Sequence, residues 1–245
     1  MSPEYRTDGG ISVPAVTAEQ MREIDRIAME ETGPNLYQMM ENAGRNLATL
    51  ALETLADEGC ESRILVLAGT GGNGGGGICA ARHLANRGLE TALCLAEPLH
   101  LSEVAKWQRH VFRATRGKVW SPAELAGEKF DLILDALIGY GLAGAPTGAY
   151  ADLIRWANST GTRILSLDVP SGLDSTTGAT PGAVISAELT MTLALPKTGL
   201  MFGKPGRLFL ADIGIPVETY RRLSLAYLPP FGSRYIVPLH LHGEP

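Results

Sequence analysis

Basic charge is scarce in this 245-residue chain. No run of lysine or arginine exceeds two residues, and the formal net charge is −5. A face that tracks a phosphate backbone needs a basic stripe, so the composition argues against a nucleic-acid partner. Long hydrophobic runs are missing too: no stretch reaches the roughly 18 apolar residues of a membrane span. The first ten residues, MSPEYRTDGG, contain two acids and no apolar run, so they read neither as a signal peptide nor as a transit peptide. Only three cysteines occur, Cys60, Cys79 and Cys94, with no Cys-x-x-Cys pair among them. That pattern predicts buried free thiols in a reducing compartment, and the expected address is the cytoplasm. Histidine is equally sparse, at five residues. His240 and His242 alternate near the C-terminus, where a surface role is expected, and His83 follows Arg82 inside a helical stretch.

What the chain does have is apolar mass. Hydrophobic residues make up 45% and charged residues 19%, enough for a large buried core in one domain. Residues 1–14 read as a flexible arm. Thr17 followed by Gln20 forms a capping-box pattern, after which Met21, Ile24, Ile27 and Ala28 recur at helical spacing. Gly33 and Pro34 end that helix, and a second carries the stripe Leu36, Met39, Met40, Ala43, Leu47, Leu50 and Leu55.

Strands and helices then alternate. Strands are expected at 63–68, 91–96, 130–137, 163–169, 187–195 and 207–215, with helices at 74–87, 102–115 and 150–158. The strands are continuously apolar, so helices should cover both faces of a mostly parallel sheet. The expected fold is a Rossmann-like three-layer αβα sandwich. Its main domain spans 15–228, and a tail over 229–245 without this rhythm should wrap the surface.

The strongest local signal is the segment Gly69-Thr70-Gly71-Gly72-Asn73-Gly74-Gly75-Gly76-Gly77, between a buried strand and a helix. Seven glycines in nine positions permit positive φ angles and close backbone approach. The helix start beyond them offers free N–H groups and the positive end of a dipole to a phosphate. Gly69, Gly71 and Gly74 also satisfy G-x-G-x-x-G, which admits a dinucleotide dehydrogenase. Glu97, however, lies beyond the roughly 20-residue offset of the usual ribose-binding acid. A P-loop is excluded, because no Gly-Lys-Ser/Thr closes the segment.

Two acids end later strands. Asp135 closes FDLILD and Asp168 closes RILSLD, each followed by a turn-forming segment. Ligands bind open α/β sheets at the carboxyl ends of strands, so three loops could share one crevice. Each Asp alone could equally be a cap or turn former. Asn73, Asp135 and Ser171 offer hard oxygen ligands suited to a weakly held hard cation. Lys197 follows another strand end, where it could meet a phosphate or a substrate oxygen, or be solvated.

Seven segments then appear in order: Met40-Glu41-Asn42-Ala43-Gly44-Arg45; the glycine segment with Ala80-Ala81-Arg82-His83-Leu84; Asp135-Ala136; Gly139-x-Gly141-Leu142; Asp168-Val169-Pro170-Ser171-Gly172-Leu173-Asp174; Pro196-Lys197; and Ala211-Asp212-Ile213-Gly214-Ile215-Pro216. Together, over roughly residues 15–220, they resemble the YjeF N-terminal domain family, whose enzymatic members are NAD(P)H-hydrate epimerases. The resemblance implies a homodimer that interconverts the S and R forms of NADHX and NADPHX and binds K⁺. It places the K⁺ ligands at Asn73, Asp135 and Ser171. Substrate would lie along Gly72, Asn73, Gly74, Gly75 and Gly76, along Gly139, Tyr140, Gly141, Leu142, Ala143, Gly144 and Ala145, and at Asp168. Asp168 is the expected acid–base group, with Lys197 assisting.

The chain departs from the family pattern at three points. Gly72 and Gly76 stand where the family loop carries Asn and Asp, and Tyr140 where a small residue is usual. These departures keep two alternatives open: a nucleotide binder without turnover, or an isomerase or dehydratase of another small molecule.

Overall fold

The computed structural model describes residues 4–56 and 62–241. Thr17 caps helix α1 (Ala18–Ile27): its hydroxyl accepts from Gln20 N, while Gln20 Oε1 accepts from Thr17 N, as the capping-box pattern predicts. Asn35 and Gln38 repeat the device at the start of α2 (Leu36–Thr54). From there the chain alternates: β3 (Arg63–Ala68), α3 (Gly72–Ala85), β4 (Glu90–Leu95), α4 (Glu103–Phe112), β5 (Lys118–Trp120), β6 (Leu132–Ala136), α5 (Gly148–Ser159) and β7 (Arg163–Leu167). Then come β8 (Leu189–Leu193), β9 (Arg207–Ala211) and α6 (Val217–Arg222).

Strands β3 to β9 are parallel and run in the order β9-β8-β7-β6-β3-β4-β5. In β3, Ile64, Val66 and Ala68 enter one apolar cluster, with α2, α3 and α4, while Leu65 and Leu67 enter a second, with α5. Two buried faces explain why the strands read as unbroken apolar runs. The connection from β7 to β8 carries no α-helix; loop residues 168–188 make it.

Both ends of the chain depart from the sequence expectation. The arm is a hairpin, β1 (Glu4–Thr7) and β2 (Ser12–Pro14), and the tail holds β10 (Ile236–Leu241). β10 pairs antiparallel with β9, and β1 pairs antiparallel with β10, completing a ten-stranded sheet. Tyr5 and Val13 are fully buried there. β1 and β2, at four and three residues, carry too little periodicity to be read in isolation, and β10 is interrupted by Pro238; their partner strands hold all three. His240 caps this junction with a contact to Asp8, whereas His242 and Cys60 lie outside the described residues. Cys79 and Cys94 are buried free thiols, and burial pushes both up to about 12.

Candidate functional site

The strand order reverses between β3 and β6, since β4 and β5 extend to one side of β3 and β6 pairs on the other. Loops after these strands diverge, leaving the crevice in which doubly wound sheets hold ligands. A cavity of about 840 Å³ opens there. Of the expected substrate residues, Gly72, Asn73, Gly76, Tyr140, Asp168 and all six others of the 139–145 loop line it.

Gly74 and Gly75 do not line the cavity. α3 begins two residues earlier than expected, at Gly72, so the glycine segment is largely the helix's own first turns. None of its glycines has a positive φ. They permit close approach instead: a Cβ on Gly74 would lie 2.0 Å from Gly69 O, and one on Gly75 2.9 Å from Val104 Cγ1. The Gly75 N–H is already bonded to Gly71 O. The amides free to meet an anion are therefore those of the first turn, up to Gly74.

Asp168 sits just past β7 with φ 71°, a left-handed conformation that Asp tolerates better than most residues and that stores strain. Its carboxylate is almost fully buried. Oδ1 accepts from Lys197 Nζ, and Oδ2 accepts from the Tyr140 N–H at 2.9 Å. Lys197 is not solvated. It is fully buried and also donates to Leu193 O at 2.8 Å and towards Thr192 Oγ1 at 3.5 Å. The structure thus joins the two expected catalytic residues as one ion pair at the cavity floor.

Asp135 and Ser171 are also brought together, but beneath the cavity lining. Asp135 is fully buried, accepting from Ser171 Oγ (2.6 Å), Ser166 Oγ (2.8 Å), Ser171 N (2.9 Å) and Leu137 N (3.2 Å). Burial pushes its carboxyl above the ordinary range against these donors. Among the described residues no cation pairs with it. Asn73 lines the cavity beside Gly139, and its buried amide nitrogen has no partner. An uncompensated carboxylate, a hydroxyl and an orphaned amide, whose oxygen half a turn would present, form a donor set that fits a hard monovalent cation.

Sequence reasoning missed the opposite wall. Arg22, Asp25 and Met29 of α1 and the turn after it face the cavity, with Met40 and Ala43 of α2. Asp25 Oδ2 accepts from the Tyr140 hydroxyl at 2.5 Å, and burial raises its carboxyl above the ordinary value. Tyr140 itself is pushed up by burial and by the Asp25 charge. The signal that could have revealed this wall is the polar pair Arg22 and Asp25, three residues apart beside an apolar stripe.

Other residues of the recognised segments are scaffold rather than site. Glu41 accepts from Arg82 (2.5 Å) and meets His83 Nε2 (2.8 Å), joining α2 to α3. Asn42 and Asn46 donate to Ile213 O and Asp212 O, tying α2 to the end of β9. Gly44 leaves room for Cys79, whose Cβ would lie 2.4 Å from an added one.

A mostly parallel doubly wound sheet, a helix N-terminus opening on its switch-point crevice and a buried Asp–Lys pair define a Rossmann-like α/β protein. Residues 36–199 match the family described as YjeF-related protein N-terminus, and the chain belongs to that family. Among its relatives is an NAD(P)H-hydrate epimerase of Dehalogenimonas lykanthroporepellens, 50% identical over 98% of each chain. A bifunctional NAD(P)H-hydrate repair enzyme of Hyperthermus butylicus is 40% identical over 83% of this chain, which spans 39% of that protein. The crystal structure of the yeast protein ynu0 shares the fold: TM-score 0.82 at 24% identity, covering 92% of this chain and all of that one. Among the described residues no helix is long and apolar enough to cross a membrane.

Proposed function

We infer that this chain is an NAD(P)H-hydrate epimerase, an isomerase interconverting the S and R forms of NADHX and NADPHX. One observation carries the reading: a single cavity has free amides of the α3 first turn at one side and the buried Asp168–Lys197 pair at its floor. The amides and the positive helix end suit the substrate diphosphate. Asp168 and Lys197 suit proton transfer at C6 of the hydrated nicotinamide ring. The ring nitrogen lone pair expels the C6 hydroxyl as an iminium forms, and a proton delivered from the pair makes the leaving group water. When water returns, Asp168 accepts its proton. No electrons leave the substrate, so the reaction is an isomerisation.

In this reading K⁺ is held by Asn73, Asp135 and Ser171. When bound, it would add positive charge beneath the phosphate-binding side of the cavity. The uncompensated Asp135 carboxylate supports this assignment. The cysteine pattern supports a cytoplasmic address and the family resemblance a homodimer; sedimentation at the mass of one chain would overturn the latter.

The deciding experiment follows the S and R forms of NADPHX by chromatography after adding enzyme to one epimer. Faster equilibration than the uncatalysed control is expected, and rising with K⁺ more than with Li⁺. A rate equal to the control would overturn the reading and favour a nucleotide binder.

A further inference from the structure

Inversion at C6 poses a geometric problem that Asp168 alone does not solve. The hydroxyl leaves one face of the ring and water must arrive on the other. A proton donor and acceptor on each face lets both events occur without the ring turning about its glycosidic bond.

The cavity lining carries three carboxyl groups among the described residues: Asp25, Glu97 and Asp168. Glu97 is exposed and sits 3.3 Å from His100. The other two are held at opposite ends of one residue. Tyr140 donates its N–H to Asp168 and its hydroxyl to Asp25, while its carbonyl accepts from Ser175 Oγ at 2.9 Å. The two carboxyls are thus set about a tyrosine side chain apart, one at the sheet and one on α1. Asp25 has no ion-pair partner among the described residues. The charged groups acting on it are Lys197 and Asp168, and its burial favours the protonated form.

We propose that Asp25 is the second acid–base group of the reaction, serving the face of the ring opposite Asp168, with Tyr140 positioning it. This rests on the epimerase reading above. On the Asp25 face, the carboxyl gives its proton to the C6 hydroxyl; the C6–O bond breaks, the nitrogen lone pair forms the C6=N⁺ bond, and water departs. On the Asp168 face, water adds to C6, its proton passes to Asp168, and the C=N electron pair returns to nitrogen. The reverse reaction exchanges the two roles, and solvent restores each proton. Nothing is oxidised or reduced.

The test separates inversion from exchange by running the reaction in oxygen-18 water. Wild type should both invert and exchange the C6 oxygen of either epimer. Asp25→Asn, with K⁺ present and with NADP binding retained as the check on its fold, should lose inversion about 100-fold or more, the scale of losing such a group. One epimer, the one whose hydroxyl faces Asp168, should still exchange its oxygen near the wild-type rate. Tyr140→Phe keeps Asp25 but frees it, and should lose inversion about tenfold with that exchange intact. The proposal is overturned if both variants invert at wild-type rates, or if Asp25→Asn loses exchange in both epimers as far as it loses inversion. A wild type that neither inverts nor exchanges would overturn the epimerase reading itself.

Discussion

Asp168 is strained at the point where the proposed chemistry is centred. Its left-handed backbone costs on the order of 1–3 kcal/mol, which the surrounding structure must offset. The benefit is a carboxylate turned into the cavity with one oxygen on Lys197 and the other on a backbone amide. Asp168→Asn should lower the epimerisation rate about 10²-fold or more while leaving binding of a non-reacting nucleotide nearly unchanged. An active enzyme indifferent to this substitution would refute the assigned role. Lys197→Met tests the pair differently: it leaves a buried carboxylate unpaired, so unfolding free energy should fall by about 3–5 kcal/mol. Adding Asp168→Asn to that variant should restore part of the loss in a denaturant titration. At Gly76 an added Cβ would lie 3.0 Å from the flexible Leu167 Cδ2 and 3.8 Å from Ala43 Cβ, so an aspartate can be housed there once Leu167 shifts. Gly76→Asp restores the family carboxylate at the cavity wall and should raise the epimerisation rate; an unchanged rate would show that its absence is no handicap.

Helix α3 owes its glycines to its neighbours. Its first turns press against the loop after β3, against α4, and against β6, where a Cβ on Gly77 would lie 2.4 Å from that of Ala136. Gly77→Ala should therefore destabilise the protein by about 1–3 kcal/mol despite the better helix propensity of alanine. A thermal melt that rises instead would contradict this packing. The α2–α3 junction adds a pH dependence. Burial lowers the His83 pKa below its ordinary value of 6.5, against the pull of Glu41. The unfolded chain then takes up a proton before the folded one does. This contribution is whole above 6.5 and is lost as pH falls through the window below it. His83→Gln should flatten the stability profile in that window, and an unchanged slope would assign the dependence elsewhere.

The whole molecule depends on its two ends meeting. Without β1, β2 and β10 the parallel sheet would end at β9, exposing a row of unpaired backbone groups. Removing residues 1–14 should lower the melting temperature by several degrees and promote aggregation, because burial of Tyr5 and Val13 contributes about 1.5–3 kcal/mol for each such side chain. A truncated protein that melts like the full chain would show the hairpin to be ornamental.

Sequence determined six of the seven parallel strands by itself; the edge strand β5, three residues long and largely exposed, escaped it. Apolar strands of about five residues, a capping box at Thr17 and turn chemistry after each strand are local signals, and local physics reads them. It also determined which carboxylates stand at strand ends, and so where a crevice would form. Three things were decided only by tertiary structure. The terminal strands exist because distant partners supply their hydrogen bonds. The glycines serve packing rather than positive φ, because what they face is set by strand order. Lys197 is buried, and Asp25 faces the cavity, because the chain folds back over separations of 29 and 143 residues to bring each towards Asp168. Spacing along a chain carries no record of such a meeting; burial and charge compensation in three dimensions do.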